Sequence, residues 1–274
     1  IWLNEGFATY TEALWAERKA GGLNQSALVS AMNARKPATG SGSVYKYTLT
    51  DPNASFDSAT TYNKGAWAQH MLRRLAGDPT FFAILAEWRS RYTGSGATTN
   101  DYAQVCTDVL GRPMQYFFDQ WVFGTGEVAY SAGYQNAVIN GKNYVRVNLN
   151  QTQSTTYGSN QKFIMPVDLR LNSTIVTVTN DQRNQWYLIP TTAAVTSLTV
   201  DPNTWILTSA KTAVAYANGP AKVVEMSPVP GSTTPEVAGV GAVSVVFSEN
   251  VNASAANFTV TGPAGPVPFT YSYS

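Results

Sequence analysis

The sequence predicts a multi-domain protein in which a mainly α-helical region is followed by an antiparallel β-sandwich and then by a partial β module. Apolar residues recur at helical spacing as far as about Gly124, and beyond it they alternate with polar residues. The 274 residues are enough for more than one domain with its own core. We therefore predict a helical region at 1–124, a sandwich at 125–212, a linker at 213–221 and a last β module at 222–274.

Two helices and a long loop are predicted first. One helix covers Trp2 to Ala20 and stops at the glycine pair that follows, and a shorter one covers Gln25 to Arg35. The stretch from Pro37 to Thr61 is rich in Gly, Ser, Thr, Asp and Asn, which predicts a loop. A loop of this length inside a folded domain is often functional.

The helices that follow are marked by start and stop signals. The first runs from about Lys64 to Leu75 and ends at Gly77. Asp78-Pro79 combines an N-cap with a first-turn proline, and the helix it starts is predicted to bury Phe82, Leu85 and Trp88. Asn100 or Asp101 is expected to cap the next helix, which carries Tyr102, Val105, Cys106 and Val109 and stops at Gly111; Pro113 opens a short last one.

Short alternating segments after Gly124 predict strands. They are Tyr144–Leu149, Val167–Leu171, Ile175–Val178 and Trp186–Ile189. Asn140-Gly141 lies between apolar runs and predicts a hairpin turn. Ala217 to Pro220 has the composition of a linker, and a second β segment begins near Val223, with Ala242–Phe247 as its clearest strand.

Composition excludes several classes of partner. The 18 basic residues balance the 17 acidic ones, so the chain has no charge excess for nucleic acid or a membrane surface. No apolar run approaches the ~20 residues that span a bilayer. The single cysteine, Cys106, rules out an internal disulfide and is expected to be buried. The low charged fraction of 13% is common in extracellular bacterial proteins, and we expect a secreted or cell-surface location.

Two residues are candidates for chemistry, and each is weak alone. Glu5 lies near the start of a helix, where the helix dipole favours a carboxylate, but a lone glutamate there is usually a solvated or capping charge. Tyr62 ends the long loop, where a tyrosine is usually a packing or hinge residue. Gly65, just after it, allows a neighbouring backbone or a ligand to approach closely.

The two segments together resemble the aminopeptidase N-type (gluzincin) zinc metallopeptidase family. Trp2 to Ala8 is similar to the segment that holds the family's third metal ligand, and Tyr62 to Ala66 is similar to its second signature, which carries an active-site tyrosine. The likeness covers roughly residues 1 to 208. Further blocks continue it in the same order: Met71-Leu72-Arg73, Asp78-Pro79 with Phe82 and Leu85, Phe117 to Val122 with Gly124 and Gly126, and Leu198 to Pro202.

The resemblance implies a fold, a cofactor and two roles. It implies the mainly α-helical C-terminal half of a thermolysin-like catalytic domain, followed by a β-sandwich. Glu5 would be a ligand of Zn²⁺, and Tyr62 would be a catalytic residue whose neutral hydroxyl donates a hydrogen bond to the oxyanion of the tetrahedral intermediate. The family's other two zinc ligands are the histidines of an H-E-x-x-H helix, whose glutamate is the general base.

The likeness also implies an activity for a longer parent protein. Ile1 rather than Met begins the chain, inside a motif. We therefore expect a fragment of a zinc aminopeptidase that removes N-terminal residues from peptides, with the H-E-x-x-H helix upstream of Ile1 and the isolated chain inactive. The alternative is a non-catalytic cell-surface or scaffold protein with a degenerate peptidase fold.

Two other residues and the tail complete the prediction. His70, the single histidine, is expected to be a packing or surface residue. Glu12 lies two helical turns after Glu5 and could support the metal site, although a surface charge is the preferred interpretation. Ser227 to Pro230 and Val245 to Val251 resemble bacterial immunoglobulin-like modules, which implies a spacer or adhesion element that contacts the cell surface or other domains.

Overall fold

A computed structural model divides the described residues into two units. Unit 1 contains residues 1–137 and 143–217, and unit 2 contains 138–142 and 218–274. In the ranges that the structure describes, no helix has the length and apolar character that a membrane span requires. The described ranges are 1–19, 21–38, 42–47, 51–154, 162–230 and 242–273.

The first part of unit 1 is built from α-helices that enclose an aromatic core. Burying large side chains removes much apolar surface from water, at roughly 25 cal/mol per Å², and this stabilises the helical packing. The helices are α1 (Trp2–Arg18), α2 (Gln25–Ala34), α3 (Gly65–Ala76), α4 (Asp78–Tyr92), α5 (Thr99–Leu110) and α6 (Gln115–Phe118). The largest core side chains include Tyr10, Trp67, Phe81, Tyr102, Phe117 and Trp121.

The predicted loop from Pro37 to Thr61 is wrong in its second half, which is helical. A 3₁₀ helix covers Pro52–Phe56, and a π-helix covers Ser58–Lys64 and continues directly into α3. Aspartates cap both segments, because Asp51 accepts a hydrogen bond from the Asn53 N–H and Asp57 accepts one from the Thr60 N–H. Positions 39–41 and 48–50 of the predicted loop lie outside the described residues.

Both predicted helix caps are wrong, although the helices are present. No side chain caps α4, whose N-cap residue is Gly77. The Asp78 carboxylate accepts hydrogen bonds from Arg73 instead. At α5 the cap is Thr98, which forms a capping box with Asp101.

The buried face of α4 also differs from the prediction. Phe81 and Ile84 are fully buried, whereas Phe82 is 37% exposed and Leu85 and Trp88 are half-buried. The face therefore begins one position earlier than its apolar pattern indicated. The glycine stops were correct, since Gly77 and Gly111 both have positive φ values after a helix.

The rest of unit 1 contains two sheets. Their strand orders are β5-β2-β1-β7 and β4-β3-β6. β1 and β7 run parallel, with Ala129 opposite Ala210, so the prediction of a wholly antiparallel sandwich is wrong for this pair. The strands are β1 (Val128–Ile139), β2 (Lys142–Gln151), β3 (Met165–Leu171), β4 (Thr174–Asn180), β5 (Asn184–Pro190), β6 (Leu198–Val200) and β7 (Thr208–Ala213).

The described part of unit 2 contains short strands and a 3₁₀ helix, Ala255–Asn257. β8 (Val223–Ser227) pairs antiparallel with β9 (Ser244–Phe247), within the predicted strand. β10 (Thr261–Gly262) pairs antiparallel with β11 (Gly265–Pro266). Asn140 and Gly141 have φ values of 50° and 74°, as the predicted hairpin turn requires.

Candidate functional site

Glu5 lies in the first turn of α1, at a helix end that is held firmly in the core. The indole Nε1 of Trp2 donates a hydrogen bond of 3.0 Å to the Thr99 hydroxyl, and the Trp2 side chain is buried. This contact anchors the beginning of α1 against α5. Glu5 itself is half-buried. The positive end of the helix dipole favours an acidic side chain at this position.

Tyr62 lies in the π-helix Ser58–Lys64, which continues into α3. The Asp57 carboxylate fixes the start of this segment by accepting hydrogen bonds from both the backbone N–H and the hydroxyl of Thr60. π-helical turns are rare and occur frequently at functional sites. The Tyr62 side chain is half-buried, like that of Glu5.

α1 and α3 touch through two glycines beside these candidates. A Cβ atom built on Gly6 would lie 2.9 Å from the carbonyl carbon of Gly65, and one built on Gly65 would lie 3.1 Å from the Cα of Gly6. No larger residue fits either position without moving a backbone. Glu5 immediately precedes Gly6, and Tyr62 lies three residues before Gly65, so this backbone contact places both side chains near the same crossing.

The structure brings the two candidates into contact. The Glu5 carboxylate lies close enough to the Tyr62 phenol to act on its pKa. Partial burial raises the pKa of the Tyr62 phenol above its ordinary value, and the negative charge and hydrogen-bonding capacity of Glu5 raise it further. The phenol is therefore protonated at neutral pH and is able to donate a hydrogen bond.

The described residues do not by themselves form a zinc site. Zinc sites in proteins need at least three protein ligands in a tetrahedral arrangement. Within the described ranges, no three His, Cys, Asp or Glu side chains are grouped closely enough to hold a metal ion. Glu5 carries one carboxylate, which is a ligand type that zinc accepts.

His70 is a packing residue. Its Nε2 lies 3.0 Å from the Thr204 carbonyl oxygen, which can only accept, so the proton is on Nε2 and Nδ1 accepts from the Tyr10 hydroxyl at 3.3 Å. The ring is fully buried and stacks on Trp205. Burial lowers the pKa of His70 to about 3, which keeps the ring neutral.

Glu12 lies at the surface, as preferred from the sequence. Its side chain is 63% exposed and forms an ion pair with Arg35. An exposed pair of this kind contributes little to stability.

Three features of the helical region were missed by sequence reasoning. One is the contact of Gly6 with Gly65, which involves residues from distant parts of the chain. Another is the complete burial of Lys64, which the position of this lysine inside the Tyr62 motif did not indicate. The third is a buried ion pair between Glu17 and Arg73, and Arg73 belongs to one of the blocks that carry the family resemblance.

Comparison with known proteins identifies the helical region. Residues 1–121 match the Peptidase family M1 domain. The predicted resemblance to aminopeptidase N-type peptidases is confirmed. The chain is 28% identical over 142 residues to Aminopeptidase N of Lactococcus lactis subsp. lactis, covering 48% of this chain and 16% of that protein. It is 29% identical over 181 residues to Aminopeptidase M1-D of Oryza sativa subsp. japonica, covering 63% of this chain and 20% of that protein.

A solved structure shows a similar fold over most of this chain. The crystal structure of Legionella pneumophila aminopeptidase A in complex with aspartic acid superimposes with a TM-score of 0.60 at 14% identity. The match covers 79% of this chain and 24% of that one. At this level of identity the likeness establishes the fold alone. The chain thus spans about a fifth of the length of the curated relatives it matches.

Proposed function

We propose that the protein is a zinc aminopeptidase that removes N-terminal residues from peptides, with Glu5 and Tyr62 in its active site. The observation that carries this proposal is that the Glu5 carboxylate and the Tyr62 phenol lie close together, beside the backbone contact of Gly6 with Gly65. This pair lies inside the segment that matches the M1 domain. Peptide substrates are proposed because the curated relatives are named as aminopeptidases.

The two residues have different proposed roles. Glu5 is the third protein ligand of the zinc ion, which, when bound, polarises the scissile carbonyl and lowers the pKa of water. Tyr62 donates a hydrogen bond to the oxyanion that develops on the scissile carbonyl. The raised pKa of its phenol supports this role, because the donor keeps its proton at neutral pH. Removing one such donor from an enzyme typically lowers kcat by roughly 10² to 10³.

The other zinc ligands are proposed to lie outside this chain, on an H-E-x-x-H helix. The sequence is compatible with this arrangement, because its single histidine cannot form an H-E-x-x-H motif. We expect the 274-residue chain alone to hold zinc weakly and to hydrolyse no peptide. Metal analysis after dialysis tests this point, and tightly held zinc at one ion per chain would contradict it.

A location and a role for the tail complete the proposal. The low charged fraction of 13% supports a secreted or cell-surface protein. The antiparallel pair β8–β9 in unit 2 is compatible with part of an immunoglobulin-like module, which would contact the cell surface or other domains. Release of the protein from fractionated cells of the source organism tests the location.

The activity is tested on the full-length protein with an aminoacyl reporter substrate. We expect hydrolysis of the reporter with a free amine, its loss after treatment with a chelator and its recovery on adding Zn²⁺. The matched control is the same reporter with an acetylated amine, which we expect to be resistant. A full-length protein that binds no zinc and cleaves neither reporter would instead favour a non-catalytic scaffold with the peptidase fold.

A further inference from the structure

Lys64 is a fully buried cation at the end of the π-helix that carries Tyr62. Its side chain has no solvent exposure. The ammonium donates hydrogen bonds to the carbonyl oxygen of Gly42 at 2.9 Å and to that of Gly124 at 3.3 Å. Burial lowers the pKa of Lys64 to about 8, and the charge of Glu127, itself buried, limits the fall.

These contacts join three separate segments at a single atom. Lys64 ends the π-helix Ser58–Lys64, and Gly124 directly follows a second π-helix, Asp119–Phe123. Gly42 begins the described segment 42–47, which is attached to the second π-helix at the Val122 carbonyl. That oxygen accepts hydrogen bonds from the backbone N–H of Tyr45 at 3.0 Å and from the Ser43 hydroxyl at 2.9 Å.

Burying an ammonium group in a protein interior is energetically unfavourable. An ion in an apolar interior costs several kcal/mol unless it is paired and hydrogen-bonded, and an apolar side chain of the same length would pack without that cost. Backbone carbonyls hold a cation in a defined position, because each hydrogen bond has a preferred distance and direction. The Lys64 ammonium is therefore suited to fixing where the end of its own π-helix lies.

The π-helix is held from its other end as well. Lys46, in segment 42–47, donates a hydrogen bond of 2.6 Å to the Thr60 hydroxyl, which in turn donates to Asp57. Tyr62 thus lies between two points of attachment, Thr60 and Lys64, and its own side chain remains free to reach Glu5. Lys64 is the nearer of these attachments to the Gly65 contact with α1.

We propose that Lys64 is a positioning residue for Tyr62: by binding the carbonyl oxygens of Gly42 and Gly124, it holds the π-helix so that the phenol meets Glu5. The geometric part stands on the contacts above and does not need the protein to be an enzyme. Its consequence for catalysis rests on the proposed aminopeptidase function. Lys64 acts through Tyr62 and does not itself contact the reacting atoms.

The direct test is the distance between the Tyr62 ring and the Glu5 side chain in the 274-residue chain. NMR on protein labelled selectively at tyrosine and glutamate reports it as the NOE between the ring Hε and the Glu5 Hγ protons. We compare the wild type with Lys64→Met, which keeps an unbranched side chain one atom shorter and loses the charge. Lys64→Arg restores a buried cation with several donors, and Lys36→Met removes an exposed lysine from the same unit.

We expect the NOE to fall at least about fivefold in Lys64→Met, and to stay within about twofold of wild type in Lys64→Arg and Lys36→Met. An unchanged NOE in a folded Lys64→Met variant overturns the proposal. If Lys64→Met does not fold, Lys64→Gln, which keeps a shorter polar donor, replaces it. Failure of both neutral variants to give a native unfolding transition would also overturn the proposal, because the ammonium would then hold the whole domain rather than Tyr62.

Kinetics on the full-length protein give a separate readout. If the aminopeptidase function holds, Lys64→Met lowers kcat roughly tenfold or more with KM nearly unchanged and the zinc content intact, and Lys64→Arg recovers most of the rate. A rise in KM alone would contradict positioning of the oxyanion donor. If the full-length protein proves inactive, the NOE still decides whether Lys64 positions Tyr62, so the two proposals fail independently.

Discussion

Two of the contacts between helices α1 and α3 are built differently. Near the start of both helices, Gly6 and Gly65 touch through their backbones, with Glu5 and Tyr62 half-buried beside them. Further along, Glu17 and Arg73 form an ion pair of 2.9 Å whose side chains are only 3% and 2% exposed.

The two contacts differ in how fully their polar groups are hydrogen-bonded within the protein. Arg73 donates to both oxygens of Glu17 and to both of Asp78, so every charge at this contact has a partner. At the glycine contact, Glu5 and Tyr62 both remain partly exposed. Saturated buried polar groups stabilise a fold, whereas accessible ones with a shared environment are available for chemistry.

The largest expected effect comes from breaking the saturated contact. Arg73→Met leaves the Glu17 carboxylate buried without its partner, and we expect unit 1 to lose about 3–5 kcal/mol in free energy of unfolding. Tryptophan fluorescence during urea unfolding measures this, since all seven tryptophans lie in unit 1.

The matched control is Arg91→Met, which breaks the exposed pairs of Arg91 with Glu87 and Asp108. Pairs of this kind contribute about 1 kcal/mol or less. Equal losses in free energy of unfolding in the two variants would show that the buried ion pair stabilises the fold no more than the exposed pairs do.

His70, beside the same contact, predicts a dependence of stability on pH. Its pKa is about 3 in the folded state, below the ordinary value, so the unfolded chain binds the proton more readily between these values. Stability is therefore greatest above the unfolded pKa and falls as the pH decreases. Linkage gives a loss of about 2 kcal/mol from His70 between about pH 7.5 and pH 5.

Urea unfolding of wild type and of His70→Gln over this pH range isolates the contribution of the histidine. The variant should show a smaller loss of stability on acidification than the wild type. Identical pH profiles would mean that His70 is not held neutral in the folded protein.

Adding a single methyl group at the contact of Gly6 with Gly65 should destabilise the protein. Gly6→Ala places a Cβ atom against the backbone of Gly65, so overpacking of about 1–3 kcal/mol exceeds the gain in helix propensity of up to ~1 kcal/mol. We expect a net destabilisation of about 1 kcal/mol and a weaker Tyr62–Glu5 NOE. Gly22→Ala is the control, because a Cβ atom there meets no neighbour within 4 Å.

The smallest effect on stability is expected at the candidate site. Tyr62→Phe removes a hydroxyl from a half-buried side chain whose partner remains accessible to water, so the free energy of unfolding should change by about 0.5 kcal/mol or less. A large loss in urea unfolding would place Tyr62 among the residues that stabilise the fold.

The sequence predicted local features well and long-range ones poorly. Gly77 and Gly111 ended helices as expected, because a helix stop depends on the conformation of one residue. The cap of α4 failed because Arg73, in the preceding helix, binds the Asp78 carboxylate. The parallel pairing of β7 with β1 likewise depends on the path of the chain between these strands, which a local sequence pattern does not predict.

The candidate site shows the same limit. Glu5 and Tyr62 were chosen because their motifs resemble a family, and their spacing alone did not predict that they meet. Gly6 and Gly65 allow the two helices to touch beside these residues, and neither glycine alone predicts that contact from the sequence. The π-helix around Tyr62 was read as a loop, because polar residues such as Asp57 and Thr60 also form its cap.

The central claim is that Glu5 and Tyr62 work at one site in different roles. Zinc content and turnover of the full-length protein test it in two variants, Glu5→Gln and Tyr62→Phe. The account predicts that Glu5→Gln loses its zinc, whereas Tyr62→Phe retains zinc with kcat lowered by roughly 10² or more. Full zinc occupancy and undiminished turnover in both variants would contradict it.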